Sequence, residues 1–168
     1  MSNSCWVEQI SKRLTALTTS DAPARVALLG IGNELNGDDG TGVAVARALR
    51  ARLGSRPHLL LIEAGPAPES FTGPVRRFNP AIVLLVDAAA MDSAPGTVAL
   101  LSWDEIDGLS ASTHTLPPSV LSRYLMETLG CPVLLLAIQA GQVEFDQPIS
   151  PVVQQAVDEV VEGLARVL

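Results

Sequence analysis

Short apolar stretches alternate along the chain with segments of helical period, and this alternation constrains the fold more than any other feature. Four stretches are nearly continuous and rich in Val, Ile and Leu: residues 26–31, 59–62, 81–86 and 133–138. Strands buried on both faces have this composition, because helices cover each side of a parallel sheet. The pattern therefore predicts a doubly wound α/β fold.

Helical periodicity fills the intervals between these predicted strands. It predicts a helix over residues 42–53 and another over 118–129, with Leu121, Tyr124, Leu125 and Leu129 on the apolar face of the second. A last helix is predicted from Pro151 onward. Ser150 can cap it, and proline suits its first position because the missing N–H has no helical partner there.

The turn at Pro95-Gly96 is followed by residues 97–102, which indicate an additional strand that can run antiparallel. We therefore expect a three-layer αβα architecture, with helices flanking a twisted, mostly parallel sheet of about five strands. Before the first strand, apolar residues at helical spacing predict an amphipathic helix. We expect this helix and a linker over residues 1–22, and a single α/β domain over residues 23–168.

Composition and charge limit the classes of partner. Charged residues make up 17% of the chain, and the net charge is −7. Such an acidic balance argues against nucleic acid or an anionic membrane as the main partner. The start of the chain lacks the basic and apolar regions of a secretion signal, and its two cysteines form neither a disulfide framework nor a CxxC site. We expect a soluble, cytoplasmic protein.

A glycine-rich turn directly follows the first predicted strand, between Gly30 and Gly42. Such a turn can bind a dinucleotide, but Leu35 stands where the third glycine of that fingerprint belongs, which argues against this interpretation. Asp38 and Asp39 near the helix start would also repel a pyrophosphate there. One acid could simply cap the helix, but two acids framed by glycines favour a functional site.

Two further residues can carry chemistry. Asp87 ends the most hydrophobic predicted strand, where a carboxylate is costly unless it is paired, hydrogen-bonded or bound to a cation. His114 lies in a predicted loop before a helix. Each has a structural alternative: Asp87 could be a helix-capping or turn acid, and His114 an ordinary loop histidine. If Asp39, Asp87 and His114 meet at one sheet edge, they form an open divalent-metal site.

The ordered motifs resemble those of the nickel-iron hydrogenase maturation endopeptidases, the HycI/HybD-type peptidases, and are closer to the HycI-like branch. The resemblance covers about residues 25 to 168 and begins with the glycine-rich turn. The motifs are Gly30-x-Gly32-Asn33-x-Leu35-x-x-Asp38-Asp39-Gly40-x-Gly42, then Val86-Asp87-Ala88, then Thr113-His114-x-x-Pro117. Where family members often carry Asp-Gly-Gly, this chain has Glu63-Ala64-Gly65.

The resemblance implies an endopeptidase that removes the C-terminal extension of the hydrogenase large-subunit precursor after nickel insertion. It implies Asp39, Asp87 and His114 as the residues that recognise the nickel, and Asp39 or Asp87 as catalytic. Gly32, Asn33, Asp38, Gly40 and Gly42 are implied to support the first motif, and Glu63 and Gly65 to select the substrate.

On this interpretation nickel is supplied by the precursor, and no tightly bound organic cofactor is expected. An incomplete shell of two carboxylates and one imidazole holds a metal weakly on its own. Nickel could act as a Lewis acid on the scissile carbonyl, or only position the tail while an aspartate activates water. The main alternative function is a non-hydrolytic, nickel-checking chaperone of the large subunit. A nucleotide-binding oxidoreductase is a more distant alternative.

Overall fold

The sheet has five strands in the part of the chain that the structure describes, and four of them are parallel. A computed structural model describes residues 4–102, 105 and 118–168. The strands are β1 (Val26–Ile31), β2 (Leu59–Gly65), β3 (Ile82–Ala89), β4 (Val98–Ser102) and β5 (Val133–Gln139). Their order across the sheet is β2-β1-β3-β5-β4, and only β4 is antiparallel to its neighbour. The carboxyl ends of the four parallel strands therefore lie along one edge of the sheet.

In the part of the chain that the structure describes, five helices flank the sheet. They are α1 (Ser4–Leu17), α2 (Thr41–Leu53), α3 (Thr72–Phe78), α4 (Pro118–Leu129) and α5 (Pro151–Val167). Two short 3₁₀ segments, Gly37–Gly40 and Pro68–Phe71, follow the carboxyl ends of β1 and β2 and lead into α2 and α3. We call the first of them the 37–40 turn.

Alternating strand residues point into two hydrophobic layers. In β1, Val26 and Leu28 face the layer covered by α1, α2 and α5. Ala27 and Leu29 face the layer covered by α3 and α4. All six residues of β1 and all eight of β3 are buried, as expected for central parallel strands. The predicted three-layer αβα fold with a mostly parallel sheet is confirmed.

The structure also corrects several local predictions. The strand β3 does not end at Asp87 but continues to Ala89, and it pairs with β5 from Val83 to Ala89. Ser150 is the residue before α5, yet its side chain does not cap the helix. Tyr124 is 44% exposed, although Leu121 and Leu125 on the predicted apolar face of α4 are buried. The helix α3 was not predicted from the sequence.

The N-terminal helix packs on α5 and belongs to the larger hydrophobic layer. Its residues Trp6, Ile10 and Leu14 are buried there. A Cβ atom at Gly163 of α5 would lie 2.6 Å from the Trp6 ring, so glycine at this position permits the close contact. The division of the chain near residue 22 stays a prediction. Among the described residues, none of the helices combines the length and apolar character that crossing a bilayer requires.

Candidate active site

The glycine-rich motif folds into a tight connection between β1 and α2. Gly32 adopts φ +130°, and a Cβ atom there would lie 1.8 Å from the carbonyl oxygen of Asp39. A Cβ atom at Gly42 would lie 2.1 Å from the carbonyl oxygen of Val86 in β3. Side chains at these two positions would clash with backbone, which cannot give way. The motif therefore lets the 37–40 turn and the start of α2 sit directly on the carboxyl edge of β1 and β3.

Asp39 is buried in this turn, with no exposed surface. Its Oδ2 atom accepts a hydrogen bond from the Asn33 N–H at 3.1 Å, which restricts the orientation of the carboxylate. Asn33 is itself held in a local turn, since its side-chain Oδ1 accepts from the Leu35 N–H at 3.1 Å. The predicted support residue Asn33 thus contacts the predicted catalytic residue through its backbone.

Asp87 lies on β3, next to the 37–40 turn, and is only 2% exposed. It pairs with Ala137 of β5 inside the sheet, so it is neither a helix cap nor a turn acid. Strand alternation places it on the same face as Val83 and Leu85, the face covered by α3 and α4. The structure therefore brings the elements that carry Asp39 and Asp87 together at one edge of the sheet.

His114 lies outside the described residues. The helix α4 starts four positions later at Pro118 and packs on the face of the sheet that carries Asp87. Within residues 4–102, 105 and 118–168, no three His, Cys, Asp or Glu side chains are grouped so that they could hold a metal ion. The role of His114 as a third ligand accordingly stays a prediction.

Asp38 has a structural role, unlike the proposed catalytic residue Asp39. It has no exposed surface, and its carboxylate accepts four hydrogen bonds from a loop that follows β5. The donors are Gly141 N–H at 2.8 Å, Gln142 N–H at 2.7 Å, Ser150 N–H at 2.6 Å and Ser150 Oγ at 3.0 Å. Burial alone would raise the pKa of Asp38, but these hydrogen bonds outweigh it and hold the pKa below its usual value.

This arrangement explains why Ser150 does not cap α5. Its hydroxyl and its N–H are both committed to the Asp38 carboxylate, 112 positions earlier in the chain. The residue before α2 is Gly40, which has no side chain to form a cap. Asp38 therefore fastens the 37–40 turn to the loop between β5 and α5, rather than capping α2.

The two residues predicted to select the substrate lie at the end of β2. The Gly65 carbonyl accepts from the Gly32 N–H at 3.1 Å, so the end of β2 supports the glycine motif. Glu63 forms ion pairs with Arg47, at 2.7 Å, and with Arg50. Their role in substrate selection stays a prediction.

Sequence reasoning missed a further member of this charged group, Glu34. Arg47 also pairs with Glu34 at 2.6 Å, and its guanidinium lowers the pKa of that carboxyl. A sequence signal was present, because Arg47 and Arg50 lie one turn apart on the polar face of the predicted helix. The acids that these arginines pair with lie on other elements, which local spacing does not show.

Comparison with known proteins gives a consistent result. A family model described as "Hydrogenase maturation protease" (HycI) matches residues 43–167. A Methanocaldococcus jannaschii protein assigned to the hydrogenase maturation proteases is 35% identical, covering 86% of this chain and 88% of its own length. The Hydrogenase 3 maturation protease of Escherichia coli is 33% identical, covering 82% and 86%.

A solved structure agrees with these relatives. The HycI hydrogenase maturation protease from Thermococcus kodakarensis superposes with a TM-score of 0.79 at 30% identity, covering 86% of this chain and 92% of that one. The HycI-like branch indicated by the sequence motifs is consistent with both the family model and this structure. The chain belongs to the hydrogenase maturation proteases, a family of peptide hydrolases, and the carboxyl edge of its sheet is the candidate active site.

Proposed function

We propose that this chain removes the C-terminal extension of the large-subunit precursor of a nickel-iron hydrogenase after nickel has been inserted. Membership of the hydrogenase maturation proteases supports the reaction class. The motif resemblance supplies the finer expectation that the substrate is the nickel-loaded precursor. We also propose that the reaction takes place in the cytoplasm, which the acidic composition and the presence of only two cysteines fit.

The observation that carries this proposal is the pair of buried carboxylates, Asp39 and Asp87, on neighbouring elements at the carboxyl edge of the sheet. Burial of two carboxylates on adjoining elements costs free energy, and a bound cation can offset part of that cost. Ligands of doubly wound folds bind beyond this edge. A cation delivered by another protein is therefore a suitable partner for the site.

Nickel is here part of the substrate rather than a resident cofactor, and no tightly bound organic cofactor is required. Asp39 and Asp87 would supply oxygen ligands and His114 a nitrogen ligand. Carboxylate and imidazole groups bind divalent transition metals, and three of them leave coordination positions open for ligands of the precursor. Only a precursor that carries the metal would then dock productively.

Two roles remain open for the aspartates in peptide-bond cleavage. In one, nickel polarises the scissile carbonyl and both aspartates hold it in place. In the other, nickel only positions the tail, and the carboxylate of Asp39 or Asp87 takes a proton from the attacking water. The Asn33 N–H bond to Asp39 Oδ2 serves either role, because it holds the carboxylate in one orientation.

The test is cleavage of purified large-subunit precursor, followed as a mobility shift on a gel, with nickel-loaded and nickel-free precursor side by side. We expect the wild-type protein to cut only the loaded form. Asp39→Asn, Asp87→Asn and His114→Ala should each retain the fold by circular dichroism and cut at least about 100-fold more slowly. Asp158→Asn, which alters an exposed carboxylate on α5, is the matched control and should cut at the wild-type rate.

Each outcome bears on the proposal. Binding of loaded precursor without cleavage would support the chaperone alternative and overturn the peptidase. Wild-type rates in all three site variants would overturn the assignment of the site. Metal analysis of the isolated protein is a second readout, and we expect at most substoichiometric divalent metal.

A further inference from the structure

Three exposed apolar side chains lie on the rim of the candidate active site. We propose that Leu35, Val143 and Phe145, here called the rim patch, form the docking surface for the folded body of the protein substrate. This inference rests on the proposed function. Leu35 is 58% exposed, Val143 40% and Phe145 73%, which makes them half of the large apolar side chains exposed among the described residues.

The rim patch is built from two loops that run side by side beyond the carboxyl edge of the sheet. Leu35 lies between β1 and the 37–40 turn, whereas Val143 and Phe145 follow β5. The Asp146 N–H donates to the Leu35 carbonyl at 2.7 Å, which joins the two loops at the residue after Phe145. A further bridge pairs Asn36 with Gln147. The backbone segments that carry the three apolar residues are therefore adjacent, although 108 positions separate Leu35 from Val143.

The patch also lies near Asp39, one of the proposed catalytic residues. Leu35 lies four residues before Asp39, and the Asp39 N–H donates to the carbonyl of Asn36 at 3.2 Å. A polypeptide whose scissile bond reaches Asp39 lies beside this rim, because Leu35 and Asp39 belong to the same connection between β1 and α2. The rest of that polypeptide then faces the patch, which is why we commit to the substrate as its occupant.

The loops that present the patch are held firmly. The Asp38 carboxylate binds Gly141, Gln142 and Ser150, on either side of Val143 and Phe145. The Asp38 N–H also donates to the Gln142 carbonyl at 2.9 Å. A surface that is ordered before binding loses less conformational freedom when the partner arrives. The buried carboxylate therefore fixes a binding surface in addition to supporting the motif.

The chemistry of the patch indicates what it binds. Isolated apolar side chains are normal on a surface, but three together beside a functional site mark an interaction surface. Acidic residues flank it, with Glu144 and Asp146 on either side of Phe145. An apolar centre with a charged rim is the usual anatomy of a protein interface. The complementary surface is therefore an apolar hollow bordered by Lys or Arg.

The experiment compares steady-state cleavage of nickel-loaded precursor by the wild-type protein and by Leu35→Ser, Phe145→Ser and the double variant. Tyr124→Ser is the matched control, because Tyr124 is an aromatic residue 44% exposed on α4, a helix that carries none of the rim residues. We expect the double variant to raise KM at least tenfold while kcat changes less than twofold. The control should leave both constants unchanged.

Direct binding gives a readout that does not require cleavage. Biolayer interferometry with immobilised loaded precursor should show at least a tenfold weaker Kd for the double variant, and wild-type Kd for Tyr124→Ser. A failure of the proposed function is thereby separated from a failure of this inference. If nothing is cut but the rim variants still bind more weakly, the docking surface stands and the peptidase fails.

Three results would overturn the inference. The first is an unchanged KM and Kd in the double variant. The second is an equal loss in Tyr124→Ser, which would place the effect elsewhere on the surface. The third is a wild-type dimer in light scattering that becomes a monomer on Phe145→Ser, because the patch would then bind a second copy of this chain.

Discussion

Replacement of Asp38 by alanine should destabilise the protein strongly, although Asp38 is not proposed to act on substrate. The carboxylate accepts four hydrogen bonds, and its removal leaves the donors on Gly141, Gln142 and Ser150 without their acceptor. A buried donor left without a partner costs about 1–3 kcal/mol. These donors are only part-buried, so water can reach some of them once the loop relaxes. We expect a loss of about 3–5 kcal/mol in the free energy of unfolding.

The pH dependence of that loss is a sharper test than its size. The pKa of Asp38 is lowered in the folded protein from 3.8, so its contribution is fully present above the unfolded pKa and is lost as pH falls through the folded pKa. Urea unfolding followed by far-UV circular dichroism should therefore show the largest difference between wild type and Asp38→Ala at pH 6. The difference should shrink steadily below about pH 3.8.

The control is Asp21→Ala, which removes an exposed carboxylate in the linker after α1 and should change the free energy of unfolding by less than about 0.5 kcal/mol. A loss below 1 kcal/mol for Asp38→Ala, or a loss independent of pH between 2 and 6, would contradict the reasoning. Either result would mean that the hydrogen bonds to the carboxylate do not hold the loop.

Three further perturbations test other parts of the structure. Gly163→Ala should lower the free energy of unfolding by about 1–3 kcal/mol in urea, because the new methyl overlaps the indole of α1. Arg47→Ala should cost at most about 1 kcal/mol, since the side chains of Arg47 and Glu34 are about half exposed, and NMR titration should show the pKa of Glu34 rising. In a Cys5→Ser variant, Cys131 should react slowly with a thiol reagent at pH 8 until the protein unfolds, because burial raises the pKa of its thiol.

The strands of the sheet were predictable because each is marked by a pattern of neighbouring residues in the sequence. Apolar runs rich in Val, Ile and Leu identify the buried parallel strands, and the strand after Pro95-Gly96 was found in its antiparallel place. The end of β3 was missed because the strand continues as Asp87-Ala88-Ala89, which lacks branched apolar side chains although its pairing with β5 persists. The helix α3 was missed because Gly73 and Pro74 interrupt its helical pattern.

The candidate site was predictable only in part, because its contacts join distant residues. Two adjacent acids in a glycine-rich turn pointed to function, but nothing in the local sequence separates the structural Asp38 from the proposed catalytic Asp39. That difference depends on Ser150, which lies 112 positions later in the chain. Its N–H and hydroxyl donate to the Asp38 carboxylate, so its side chain does not cap α5. The exposure of Phe145 beside Leu35 likewise depends on a bond between two loops.

The hydrogen bonds of the Asp38 carboxylate also have a consequence for folding during synthesis, because they join an early part of the chain to a late one. The first motif is synthesised early, yet the donors that hold its turn in place lie at residues 141, 142 and 150. While the C-terminal third of the chain is still being translated, the surroundings of Asp39 are incomplete. The loop that holds the 37–40 turn is therefore complete only once residue 150 has been synthesised, and until then the turn that carries Asp39 lacks the hydrogen-bond donors of Asp38.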